Sequence, residues 1–230
     1  MLYGVVDNSN CGKFAVSRKE VPQVVPLSLD RVSRRLREMK ILVAALAMLL
    51  SFAVYASASV PSASTSTVEC EVQGPSSCVP NSAVVCPASD MDLIHVTVTV
   101  RNVYGDALPD KVVDCYAIEV SGIFCWCPGE SLQTGTTDAN GQAFFDFSDF
   151  GGCGFVQFGA TSEAVVFNPC TAIFVASPDQ DGDCDVDLSD FAIFASRYNS
   201  TDPCADFDCS ATVGLSDFAI FAAHYNHSCP

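Results

Sequence analysis

Near the C-terminus, carboxylates recur at the spacing that a hard cation requires. Counting from Asp179 as position 1, they fall at positions 1, 3, 5, 9 and 12: Asp179, Asp181, Asp183, Asp187 and Asp190. Calcium takes six to eight oxygens, and a 12-residue loop supplies them from positions 1, 3, 5, 7 (a backbone carbonyl), 9 and 12. Asp185, at position 7, would ligate through its carbonyl. A second loop offers Asp206, Asp208, Ser210, the Thr212 carbonyl and Asp217, with Gly214 at position 9 leaving that place to water. Position 6, where such loops carry Gly for a sharp turn, is Cys184 in the first loop and Ala211 in the second. The alternative is a solvated acidic loop without metal, and it is more open for the second loop, which has fewer charges.

The elements that must position these groups repeat as well. Leu188-Ser-Asp-Phe-Ala-Ile-Phe-Ala195 recurs letter for letter as Leu215–Ala222, and both copies run on to Tyr-Asn, at Tyr198-Asn199 and Tyr225-Asn226. So short a period means two copies of one supersecondary unit, each burying its apolar face against its twin. The spacing predicts a helix from Leu188 to Tyr198. Phe191, Phe194 and Tyr198 form one stripe facing the stripe of Phe218, Phe221 and Tyr225. Asn199 and Asn226 suit helix exits, where Asn tolerates the left-handed conformation.

With these residues in view, 177–230 resembles the dockerin family of tandem F-hand motifs, each a calcium loop followed by one helix. Asp at position 12 agrees with that family, and the residues at position 6 depart from it. The resemblance implies Ca²⁺ as the cofactor and a cohesin-like protein as the partner. That partner would read loop positions 10 and 11, here Leu188-Ser189 and Leu215-Ser216. Their identity in the two halves would allow two binding orientations.

Upstream, 69–176 reads as β structure. Ile94, Val96, Val98 and Val100 alternate with His95, Thr97, Thr99 and Arg101, which gives one apolar and one wet face. Further runs are expected at 111–120, 123–127, 142–147, 154–160, 163–167 and 171–175, with turns at 102–110 and 138–141. Seven or so short strands in about a hundred residues argue a two-sheet sandwich. The wording Val98-Thr-Val-Arg-Asn-Val-Tyr-Gly105 and Thr136-Thr-Asp-Ala-Asn-Gly141 resembles bacterial Ig-like repeats of the invasin type, which implies a spacer or adhesion module. The expected fold is therefore mainly β: an Ig-like sandwich braced by disulfides, plus a small helical C-terminal module with two calcium loops.

At the N-terminus, residues 1–38 are basic and polar. Met39-Lys40 then opens an apolar run, and Ala56-Ser57-Ala58 follows in a cleavage-like pattern. This reads as a signal peptide over 39–58, with 1–38 a mis-called extension. A signal anchor with a basic cytoplasmic tail is the alternative. Residues 59–68 read as a polar linker. The formal net charge of the whole chain is −16; residues 59–230 hold only 3 of the 11 basic residues and 23 of the 27 acidic ones, a net of −20. Such a surface excludes nucleic acid and anionic membranes as partners and attracts divalent cations. It is expected to be monomeric.

Of 13 Cys, 12 follow residue 58. An even number behind a signal peptide reads as disulfides formed in a secreted protein. In the C-terminal module two pairings compete. One is symmetric with the repeat, Cys184–Cys204 and Cys209–Cys229. The other is crossed, Cys184–Cys229 and Cys204–Cys209, and it is preferred because it needs no fold-back of the chain along each helix. No nucleophile motif or phosphate-binding loop is present, and His95, His224 and His227 read as surface groups. A docking module, a purely structural calcium cap and an unrecognised carbohydrate-degrading enzyme remain, in that order.

Overall fold

The computed structural model of this chain describes residues 29–74, 81–89 and 91–230. In chain order the elements are α1 (Leu29–Ala58), β1 (Thr67–Gln73), β2 (Ser82–Val84), β3 (Leu93–Thr99), β4 (Val112–Trp126), β5 (Leu132–Thr136), β6 (Gln142–Phe147), β7 (Phe150–Ser162), β8 (Val165–Val166), β9 (Ile173–Ala176), α2 (Leu188–Arg197) and α3 (Leu215–Ala223). The segment expected to be a signal peptide falls on α1, and most of the expected extension lies outside the described residues. Among the described residues no helix is long and apolar enough to cross a membrane. Everything from β1 onward belongs to one compact unit, Leu50–Pro230.

The chain is mainly β. An antiparallel sheet runs in the order β1-β3-β6, and a larger one in the order β2-β9-β7-β4-β5, with β8 on β7. Among the described strands only β2 and β9 pair in parallel. The alternation in β3 works as its sequence dictates: Ile94, Val96, Val98 and the following Val100 are fully buried, while His95 and Thr97 are partly exposed. From β6, Phe145 and Phe147 join them, and Val113, Val156, Phe158, Ile173 and Val175 of the larger sheet complete the same core. The rings of Phe147 and Phe158 meet across the two sheets at 4.3 Å. Burial of each such side chain stabilises the fold by about 1.5–3 kcal/mol.

Two expected runs, 111–120 and 123–127, are one strand. A bulge between Glu119 and Ser121 lets β4 continue to Trp126 while staying paired with β7. The resulting long ribbon carries Cys125, Cys127 and Cys153 at one end. Gly152 belongs to its tight pairing: φ is +108°, and a Cβ there would lie 2.0 Å from the Ile123 carbonyl oxygen. Three strands, β1, β2 and β5, were not legible as periodic runs. The expected linker 59–68 is not a free tether. Ser62 N–H donates to the Arg101 carbonyl at 2.9 Å, Thr65 Oγ1 donates to the Asn102 carbonyl at 2.7 Å, and Val68 already pairs with Val98 in β1.

The expected division at 176/177 is bridged by packing. Val84, Cys86 and Ala176 share a second core with Val186, Phe194, Phe207, Val213 and Phe221. Helix α2 ends one residue before its expected limit, with Tyr198 as its C-cap. The helices meet through their repeated phenylalanines: Phe194 and Phe221 are buried with ring centroids 5.4 Å apart. Phe191, Phe218, Tyr198 and Tyr225 keep roughly two fifths of their surface exposed.

Both expected disulfide pairings of the C-terminal module are corrected. Cys184 bonds Cys125, Cys204 bonds Cys153 and Cys229 bonds Cys127, with Cα–Cα distances of 5.4, 5.7 and 5.3 Å. Cys70–Cys170 closes the β part, and Cys209 is also in a disulfide. Both expected pairings treated the module as isolated, whereas the end of the β4–β7 ribbon packs against it and supplies nearer partners. Cys86 and Cys115 are free, buried thiols, so the even count did not mean complete pairing. Cys11 and Cys78 lie outside the described residues.

Candidate metal centre

In the first loop a backbone frame gathers the carboxylates. Asp179 Oδ1 accepts from Gly182 N–H (2.8 Å) and Asp183 N–H (3.2 Å), and Oδ2 from Cys184 N–H (2.9 Å). Asp190, on the first turn of α2, folds back over the loop: Oδ1 accepts from Gln180 and Asp181 N–H, and Oδ2 from Asp187 N–H at 2.8 Å. Ligand oxygens of Asp179, Asp181, Asp183 and Asp190 then lie within 4.8 Å of one another. The second loop repeats this frame. Asp206 accepts from Ser210 and Ala211 N–H, Asp217 accepts from Asp208 and Gly214 N–H, and Asp206, Asp208 and Asp217 form the corresponding cluster.

The departures from Gly at position 6 do not prevent the turn. Cys184 and Ala211 adopt φ of 76° and 67°, and position 4 is left-handed too, at Gly182 (69°) and Cys209 (57°). Two copies thus bend at the same two places with different residues. The left-handed region is costly for a residue with a Cβ, and at Cys184 the disulfide to Cys125 ties the strained position down.

Not every expected ligand joins a cluster. Asp187 caps α2, its carboxylate accepting from Ser189 N–H at 2.6 Å. Asp185 is exposed, and its N–H donates to Asp183 Oδ1. Ser210 Oγ donates to the Thr212 carbonyl at 3.0 Å, so those two oxygens face each other within the second loop. Leu188, Ser189, Leu215 and Ser216 are all exposed, the two leucines at 67% and 75%. Sequence reasoning missed Gln180, whose amide donates to the Ser177 and Cys204 carbonyls and whose Oε1 accepts from Arg197. It also missed Gly151, against which Asp179 packs; the Gly-rich run 151–154 was its only signal.

Crowded, partly buried carboxylates of this kind could hold a cation. Burial pushes Asp179 up to about 6, against the pull of its backbone hydrogen bonds, with Asp190 adding repulsion. Burial also raises Asp181, Asp190 and Asp206. Asp181 Oδ1 is shut off from solvent and has no hydrogen-bond partner. Among the described residues no ion pair reaches these carboxylates. Arg101 donates to the Gly105 carbonyl, Lys111 pairs with Glu163 at 2.6 Å and Arg197 with Asp202 at 3.1 Å. A set of hard oxygen donors with a surplus of negative charge suits Ca²⁺. No protein-family model, no curated protein and no solved structure matches this chain.

Proposed function

We propose that this chain is a secreted, non-enzymatic protein that binds Ca²⁺ in two F-hand-like loops. Its C-terminal helix pair then presents a docking surface for a protein partner of the cohesin kind. The observation that carries the calcium reading is Asp181 Oδ1, a buried acceptor without a donor inside a four-carboxylate cluster that no ion pair among the described residues reaches. An unpaired buried acceptor is costly, and a cation is the group that satisfies it together with its neighbours. Disulfides support an oxidising, extracellular setting, reached through the signal peptide at 39–58. The β part, read as an Ig-like spacer, holds the helix pair away from the rest of its surroundings. Leu188-Ser189 and Leu215-Ser216, exposed on equivalent turns, are the residues proposed to meet the partner.

A second reading, a structural calcium cap with no partner, is favoured by the three disulfides that fasten the helical module to the β4–β7 ribbon. Titration calorimetry of the full oxidised chain tests the calcium reading. Two sites are expected, the first loop tighter because it gathers four carboxylates against three; charge count is one term that tunes such affinities. Asp190→Asn should abolish the tighter site and Asp217→Asn the weaker. Absence of calcium heat would overturn the reading. Calcium-dependent capture of a cohesin-type domain, lost in Leu188→Asp/Leu215→Asp, separates docking from the cap.

A further inference from the structure

A third group of ligand atoms lies away from both acidic loops and has softer chemistry. Sγ of Cys86 and ring nitrogens of His224 and His227 all lie within 4.8 Å of one another. Helix α3 ends at His224, and Asn226 in the left-handed conformation turns the chain back, so His227 returns beneath His224. The tail is then held firmly. Val186 N–H donates to the His227 carbonyl, Asn226 N–H to the Val186 carbonyl and Cys229 N–H to the Cys184 carbonyl, and Cys229 is bonded to Cys127. Cys86 follows β2 and is fully buried, with a free thiol, in a protein whose other described cysteines, Cys115 apart, are oxidised.

We propose that Cys86, His224 and His227 form a second kind of metal site, for a borderline-soft divalent transition metal of the zinc class. The distances fit. Zinc–nitrogen bonds of about 2.05 Å and zinc–sulfur bonds of about 2.3 Å at tetrahedral angles put two nitrogens about 3.3 Å apart and sulfur about 3.6 Å from nitrogen. Here Nδ1 of His224 and Nδ1 of His227 are 3.4 Å apart, and Cys86 Sγ is 3.9 Å from Nδ1 of His227. The imidazole planes cross at 82°, which lets both Nδ1 atoms face one point without their rings colliding. Both histidines line a cavity of about 830 Å³ together with Met91, Phe207 and Ile220. Three protein ligands beside an open cavity leave the fourth position to water or to a small donor molecule. Ligand softness separates this site from the loops: thiolate and imidazole select zinc-class metals, carboxylate and carbonyl oxygen select calcium.

Cobalt(II) titration of the full oxidised chain, in excess Ca²⁺ to fill the loops, tests this. The expected result is one Co²⁺ per chain with a thiolate-to-cobalt charge-transfer band and tetrahedral visible bands, both displaced by Zn²⁺. Cys86→Ser should remove the charge-transfer band, Cys115→Ser should leave it, and His224→Gln/His227→Gln should remove the tetrahedral bands. A wild-type chain without the charge-transfer band overturns the proposal, whatever the variants do. So does a band that survives Cys86→Ser, or a spectrum unchanged by the double histidine variant.

Discussion

At Asp179 the first loop and the β4–β7 ribbon come within an atom's width of each other. A Cβ on Gly151 would lie 1.9 Å from Asp179 Oδ2 and 2.7 Å from Asp179 Cβ, while Gly152 N–H donates to the Asp179 carbonyl at 2.9 Å. Gly151→Ala must therefore displace the carboxylate at loop position 1. The expected outcome is weaker calcium binding at the first site with the second unchanged, read by calorimetry; equal loss at both would mean general unfolding instead. Cys115 offers a different test. Burial pushes its thiol up to about 12 from an ordinary value near 9. In the native chain it should resist alkylation at pH 8 and react once the chain is unfolded in denaturant. The raised value also fixes the sign of its linkage. Above pH 9 the unfolded chain loses this proton while the folded chain keeps it, so stability falls as pH rises from 9 towards 12. The carboxylate spacing was legible residue by residue. The Gly151 contact was not, because it joins positions 28 apart in sequence through packing alone.

Among the elements, α2 and α3 with their loops form a repeated pair that leans on something outside the repeat. Val84, Cys86 and Ala176 belong to its core, and Cys184, Cys204 and Cys229 take their partners from β4, β7 and the residue that follows β4. Residues 177–230 expressed alone should therefore fold poorly even with calcium, or form non-native disulfides. Circular dichroism and a non-reduced peptide map would check this; a native-like helical melt would show that the repeat suffices. The reverse also holds: a peptide map of the full chain should contain Cys125–Cys184, Cys127–Cys229 and Cys153–Cys204. Strands with clean alternation, β3 and β6, were readable from their residues. Strands β1, β2 and β5 were not, since β1 starts at the end of the Ser/Thr-rich stretch that reads as a linker, β2 has three residues, and β5 alternates exposed with half-buried positions.

For the whole molecule, charge and calcium act on one equilibrium. Residues 59–230 carry 23 acidic and three basic side chains, so the folded unit repels itself, most strongly where the loops gather carboxylates. Ligands that bind only the folded state add to its stability by mass action. Removing calcium with EDTA should lower the melting temperature of the full oxidised chain, and added salt should recover part of the loss by screening. A melt insensitive to EDTA would mean that the disulfides and the two cores hold the unit without metal. The sequence by itself determined the features that are local: the 3.6-residue periodicity and letter-for-letter repeat of the helices, the period-two alternation of the strands, and carboxylates set along a loop. Only the tertiary structure decided which cysteines pair, that the supposed linker is tied down and runs into β1, that the two supposed modules share a core, and that Cys86 meets His224 and His227. The cysteine contacts join residues 51 to 141 positions apart, and the pattern of a chain records which face a residue presents without naming what that face will meet.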